Sequence, residues 1–202
     1  MHFQNGIGYL SGMKTILLFL SVLLSANFFG QNVFIPDANF KSYLIGNFDI
    51  NTNGDTEIQV SEASAFNGKI ECGNGNMSDL TGIESFTALT SLYCYANQLT
   101  SLDVSKNTAL TDLLCGQNQL TSLDVSKNTA LISLFCFSNQ LTSIDVSKNT
   151  ALISLYCEDN QLTSLDVSKN MALIELGCAA NQLTCVKGLP DRLEGHDLKK
   201  CD

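Results

Sequence analysis

Leu89-Thr-Ser-Leu92-Tyr93-Cys94-Tyr95-Ala-Asn97-Gln-Leu99-Thr-Ser-Leu102-Asp103-Val104-Ser-Lys106-Asn107 is followed by near-copies of itself starting at Leu110, Leu131, Leu152 and Leu173. The period is 21 residues, so Cys94, Cys115, Cys136, Cys157 and Cys178 recur at equal steps. A fixed short period marks a solenoid, in which each copy buries its apolar side only by stacking on its neighbours. The alternation in Leu92-Tyr93-Cys94-Tyr95 predicts a short strand with Leu92 and Cys94 facing inward. Stacked coils set such strands in parallel, ~4.8 Å apart, and turn inward residues into ladders.

Asn97, Asn118, Asn139, Asn160 and Asn181 fall where the chain leaves each strand. A side-chain amide there can pair with backbone groups at the bend. Leu99-x-x-Leu102-x-Val104 repeats the same spacing and predicts a second extended edge, with Asn107 and its counterparts at the opposite bend. A 21-residue coil has no room for a strand and a long helix, so each coil reads as a flattened turn. An earlier, irregular copy shows at Ile70-Glu71-Cys72 and Leu80-x-x-Ile83, interrupted by Gly73-Asn74-Gly75-Asn76. Terminal repeats are atypical because they must cap an open core.

The phrase Leu89-x-x-Leu92-x-Cys94-x-x-Asn97-x-Leu99 resembles the leucine-rich-repeat motif, with Cys in place of the third Leu, and it recurs in all five copies. With the extension Thr-Ser-Leu-Asp-Val-Ser-Lys-Asn-Thr-Ala, the chain resembles secreted repeat proteins of Bacteroidetes-type bacteria. The resemblance covers about residues 70–185 and implies a leucine-rich-repeat solenoid. The fold expected is therefore short parallel strands in flattened 21-residue coils behind a small helical N-terminal cap. The division expected is residues 1–30 for an upstream extension and signal peptide, 31–69 for the cap, 70–185 for the repeats and 186–202 for a C-terminal cap.

Met13-Lys14 followed by the apolar run Thr15–Leu24 has the pattern of a secretory signal and is too short for a membrane span. Cleavage is expected at Gly30–Gln31, with Ala26–Asn27 as the alternative, and Met13 is a plausible true start. No cysteine closely follows the run, so no lipid anchor is expected. Residues 1–30 hold one Lys and no acid, so the exported chain is one unit more negative than the −9 of the full chain. That balance argues against nucleic-acid or anionic-membrane binding, which need basic surface.

Eight cysteines in an exported chain would ordinarily suggest disulfides. Cys72 and the five ladder cysteines, however, occupy inward sites where Cys serves as a small apolar residue. A metal ladder would need His or a close C-x-x-C pair, and neither is present there. Cys185 and Cys201 lie outside the register and are expected to pair, tying down the C-terminal segment.

Residues 37–66 differ in texture. Asp37 after Pro36 caps an expected short helix through Ile45. The stretch from Asn51 to Glu62 resembles an EF-hand loop, with oxygen-bearing side chains at positions 1, 3, 5, 9 and 12 and Ile58 at position 8. The resemblance implies calcium as cofactor, held by Asn51, Asn53, Asp55, the Glu57 carbonyl, Gln59 and a bidentate Glu62. Two departures stand out. Asn51 replaces the usual Asp, and Thr56 sits where Gly normally allows the sharp turn. A polar turn that merely covers the first coil is the competing reading.

The copies can be compared with one another. Thr-Ser-Leu-Asp-Val-Ser-Lys-Asn hardly varies, whereas the outward sites beside the cysteines do. One column holds Tyr93, Leu114, Phe135, Tyr156 and Gly177; the next holds Tyr95, Gly116, Phe137, Glu158 and Ala179. A contiguous apolar and aromatic surface marks an interaction site, and solenoids use such sheet faces for recognition. Tyr93, Tyr95, Leu114, Phe135, Phe137 and Tyr156 are therefore the expected ligand-binding residues. A protein partner is expected first, a glycan second, and a structural or adhesion spacer third. The opposite wall, with Asp103, Asp124, Asp145 and Asp166 beside Lys106, Lys127, Lys148 and Lys169, reads as a solvated mixed-charge surface. His196 is the single His left after export, and no H-E-x-x-H or phosphate-cradling loop occurs, so no catalytic set is expected.

Overall fold

The computed structural model describes residues 30–193 and 200–201. The expected signal segment and His196 lie outside the described residues. Six three-residue strands form one parallel sheet in chain order: β1 (Lys69–Glu71), β2 (Ser91–Tyr93), β3 (Asp112–Leu114), β4 (Ser133–Phe135), β5 (Ser154–Tyr156) and β6 (Glu175–Gly177). Register is strict: Leu92 lies beside Leu113, Leu113 beside Leu134, and Leu134 beside Leu155. The pairing runs on past the strands, with Cys94 N–H donating to Leu114 O and Ala96 N–H to Gly116 O.

The inward side of every coil is apolar. Leu110, Leu113, Cys115, Leu120 and Val125 are fully buried, and Leu131, Leu134, Cys136, Leu141 and Val146 repeat them one coil on. The core is thus one continuous column. The six thiols are free and buried, as the register predicted.

That bend is held by side chains. Asn118 Nδ2 donates to Cys94 O in the coil below and to Cys115 O and Gly116 O in its own coil. Its Oδ1 accepts from Leu99 N–H. Asn139 and Asn160 repeat both contacts, so each amide both shapes its own bend and ties two coils together. The residue just before each of these asparagines is left-handed though it is not glycine: Ala96, Gln117, Ser138, Asp159 and Ala180 have φ between 50 and 56°. Such backbone is costly for an L side chain, and the over-determined asparagine bend holds it in place.

The second edge departs from expectation. No strand forms along Leu99–Val104, and the inner coils share there one backbone bond, such as Gln119 N–H to Leu99 O; the last coil adds a parallel bridge, Asp166 to Lys187, with Val167 N–H donating to Lys187 O and Lys187 N–H to Leu165 O. Packing and a second amide ladder replace the sheet. Asn128 Nδ2 donates to Val104 O and Asn107 O, and Asn149 to Val125 O and Asn128 O. An Asp-x-Ser turn shapes the chain as it leaves this edge. Asp124 Oδ1 accepts from Ser126 N–H, as Asp103, Asp145 and Asp166 accept from the serines two residues on.

The ends are closed differently. Helix α1 (Ala38–Ile45), N-capped by Asp37, and α2 (Val60–Ala65), opened by a Gln59/Glu62 capping box, cover the first coil. Phe40, Leu44, Ile50 and Ile58 carry the core into this cap, and the Tyr43 hydroxyl accepts from Glu71 N–H on the free edge of β1. At the other end Arg192 donates to Leu173 O and Met171 O. The expected Cys185–Cys201 disulfide is present, with Cα atoms 5.1 Å apart.

Candidate binding face

Strand alternation turns three columns outward from the sheet. Ser91, Asp112, Ser133, Ser154 and Glu175 form one; Tyr93, Leu114, Phe135, Tyr156 and Gly177 the second; Tyr95, Gly116, Phe137, Glu158 and Ala179 the third. The six residues expected to bind ligand, Tyr93, Tyr95, Leu114, Phe135, Phe137 and Tyr156, therefore lie on one surface. They are half-buried, because they pack on one another. Phe135 and Tyr156 stack with centroids 4.8 Å apart and planes 9° from parallel, a distance set by the coil rise.

The third column alternates ring and glycine. A Cβ on Gly73 would come within 2.6 Å of the Tyr95 ring, and one on Gly116 within 2.8 Å of the Phe137 ring. Each ring thus lies flat across the glycine of the coil before it, and these glycines are seats for aromatic rings. On Gly177 the seat is taken by the carboxylate of Glu158 together with the edge of Tyr156.

Charge is arranged unequally along the face. Near β1, Lys69 Nζ sits 5.0 Å from the Tyr93 centroid and pairs with Glu71 at 2.5 Å. Near β6, Glu175 Oε2 accepts from Ser154 Oγ at 2.7 Å and from the Tyr156 hydroxyl at 3.4 Å. Partial desolvation, followed by the nearby Glu175, pushes the Tyr156 phenol above its ordinary pKa.

The most exposed large apolar side chains lie elsewhere and escaped the sequence reading. Ile132, Ile153 and Ile174 form a column just before β4, β5 and β6, with Met171 at its end, and Phe34 and Phe48 project from the cap. The signal was available, since the corresponding earlier copies carry Thr90 and Thr111.

The EF-hand-like residues meet in one loop, and their oxygens are engaged within it. Asn51 Oδ1 accepts from Gly54 N–H, and its buried Nδ2 donates to Ile45 O and Asp55 O. Asn53 Nδ2 bridges Asp55 Oδ2 and Gln59 Oε1, and Gln59 Nε2 donates to Asp55 Oδ2. Glu62 accepts from Thr52 and Asn53 N–H through Oε1 and from Gln59 N–H through Oε2, while the Glu57 carboxylate pairs with Lys41. The loop's amides and carboxylates are thus bonded to one another within it. Among the described residues no three His, Cys, Asp or Glu side chains gather as a metal-binding group.

Stacked parallel strands, the 21-residue period and the inward ladders define a leucine-rich-repeat solenoid. No protein-family model matches the sequence. Over 76 residues, 38% of the chain, it is 44% identical to Internalin J of Listeria monocytogenes serotype 4b (strain F2365), and the match spans 8% of that protein. The solved functional domain of InlJ from Listeria monocytogenes, which includes a cysteine ladder, is similar with a TM-score of 0.69 and 38% identity. That match covers 78% of this chain and 37% of the solved one. An internalin (inlF) from Listeria monocytogenes str. 4b F2365 shares the fold at a TM-score of 0.62 and 21% identity, covering 76% of this chain and 49% of its own. The chain is thus similar to internalin-type leucine-rich-repeat domains and spans well under two thirds of these relatives. No helix among the described residues is long and apolar enough to cross a membrane.

Proposed function

We propose that the chain is a secreted or cell-surface, non-enzymatic binding module that recognises a protein partner through the aromatic sheet face. One observation carries the reading: the stacked, half-exposed pair Phe135–Tyr156 at the centre of a face whose outward residues differ from coil to coil. Rings held by a rigid ladder offer contact area with little entropy to lose on binding, and such aromatic anchors dominate interface energetics. The likeness to internalin-type domains supports the same reading. The EF-hand-like loop, on this view, serves as a hydrogen-bonded lid on the first coil.

Site-specific photo-cross-linking tests the proposal. A photoreactive residue at Leu114, on the aromatic face, should label a protein when the chain is presented to intact cell surfaces. The same residue at Lys127, on the opposite wall, should not. Tyr93→Ala, Phe135→Ala and Tyr156→Ala should each lower the yield from Leu114. Equal labelling from both walls would end the proposal, and label on polysaccharide would replace the protein partner with a glycan.

A further inference from the structure

The two ends of the aromatic face handle charge in opposite ways. At the β1 end the face supplies its own cation: Lys69 lies over Tyr93 and is neutralised by Glu71. At the β6 end no described Lys or Arg stands over a ring, and two carboxylates, Glu158 and Glu175, flank Tyr156. The rung beyond Tyr156 is Gly177, so the stack that begins with Phe135 and Tyr156 has no third ring.

Glu158 sits there without satisfaction. Its carboxylate occupies the seat over Gly177, where a Cβ would collide with it at 1.9 Å. Its Oε2 is enclosed, and no described group donates a hydrogen bond to it. An enclosed carboxylate oxygen with no donor is unfavourable, so a rotation that carries it from its seat to an incoming donor is favoured.

We infer that this end of the face receives an arginine side chain from the protein partner, stacked beyond Tyr156 and hydrogen-bonded to Glu158 and Glu175. The inference rests on the proposed protein-binding role and adds the chemistry of the partner. A guanidinium is planar, so it can continue a ring stack, and its fork of N–H donors suits carboxylates at its rim. The acidic balance of the whole chain, −9, favours approach of a basic surface. Gly177 is then a specificity residue: its missing side chain leaves room for both the carboxylate and the incoming group.

The test is a titration of the 15N-labelled full chain with blocked Gly-Arg-Gly and with its citrulline counterpart, which is the same shape without the charge. The arginine peptide should shift the amides of Tyr156, Gly177 and Ala179 saturably, and citrulline should bind at least about tenfold more weakly, the scale of a cation–π contact plus a charge-assisted hydrogen bond. Glu158→Gln should remove the response, and so should Gly177→Ala, which evicts the carboxylate from its seat. Unchanged amides around Lys69 and Tyr93 in both variants show that the fold persists. Equal response to citrulline, retained response in Glu158→Gln, or shifts of the same size around Asp124 and Asp145 would each overturn the inference. If photo-cross-linking from Leu114 succeeds while the peptide fails, only the arginine assignment falls. Should the cross-linking itself fail, the protein-binding reading falls whatever the peptide does.

Discussion

The two walls of each coil differ in what their residues are for. On the uniform wall the repeated Asp and Asn of each coil have backbone tasks. Asp124 closes a turn onto Ser126 N–H, and Asn128 holds two carbonyls of the coil below. On the sheet wall the backbone is satisfied by the ladder itself, so outward side chains such as Leu114, Phe135 and Glu158 are free to differ. Uniformity among copies therefore reports structural work, and variation reports a surface released from it. The four aligned aspartates are turn formers.

The contrast can be broken by attacking the ladder that serves both walls. Asn139→Ala removes donations to Cys115 O, Cys136 O and Phe137 O and the acceptor of Leu120 N–H, three of them buried and the Phe137 contact part-buried. Equilibrium denaturation should show a loss of about 1–3 kcal/mol. Asp124→Ala, whose bonds with Ser126 are at the surface, should lower the midpoint less. A larger effect from Asp124 would mean that the uniform wall carries the stack.

The cysteine ladder sharpens the picture through pH. Burial pushes the thiols up, Cys72 to about 12 and Cys178 to about 11, with Cys94, Cys115 and Cys136 well above the ordinary value. A pKa raised in the folded state contributes stability that is present below the unfolded value of about 8.5 and lost above it. Melting temperature should therefore fall as pH rises from 8.5, ahead of any effect on the folded thiols. Cys115→Ala, beyond its fixed packing loss, should make that fall shallower. A flat profile to pH 10 would contradict burial of the ladder as neutral thiols.

A smaller effect separates cap from coils. Glu62→Ala removes the acceptor for Thr52, Asn53 and Gln59 N–H, and should lower the melting temperature equally in calcium and in chelator. A calcium-dependent gain in the parent chain that vanishes in the variant would instead assign the loop an ion.

Much of this was legible from the residues. The 21-residue step fixed the parallel register, the inward cysteines and the asparagine bend, because a solenoid repeats its contacts as strictly as its letters. What escaped depends on neighbours that one coil's pattern does not name. The Leu99–Val104 spacing has the look of a strand, yet packing and the second asparagine ladder hold this edge in place of a sheet. The letters Gly73, Gly116 and Gly177 do not name what covers them, whereas each is a seat filled from the adjacent coil. In the EF-hand-like loop the spacing does not name the internal network, since Asn and Gln supply N–H groups as readily as oxygens and here bond within the loop.

The most direct test places both walls in one experiment: the melting temperature and the Leu114 cross-linking yield of two variants, one carrying Tyr93→Ala, Phe135→Ala and Tyr156→Ala, the other Asp124→Ala and Asp145→Ala. The account predicts a crossed result. The aromatic variant should keep most of its melting temperature and lose the cross-link, since truncating an interface anchor costs about 2 kcal/mol or more of binding. The aspartate variant should melt earlier and cross-link normally. Loss of cross-linking in the aspartate variant with full retention in the aromatic one would contradict the division between a structural wall and a binding wall.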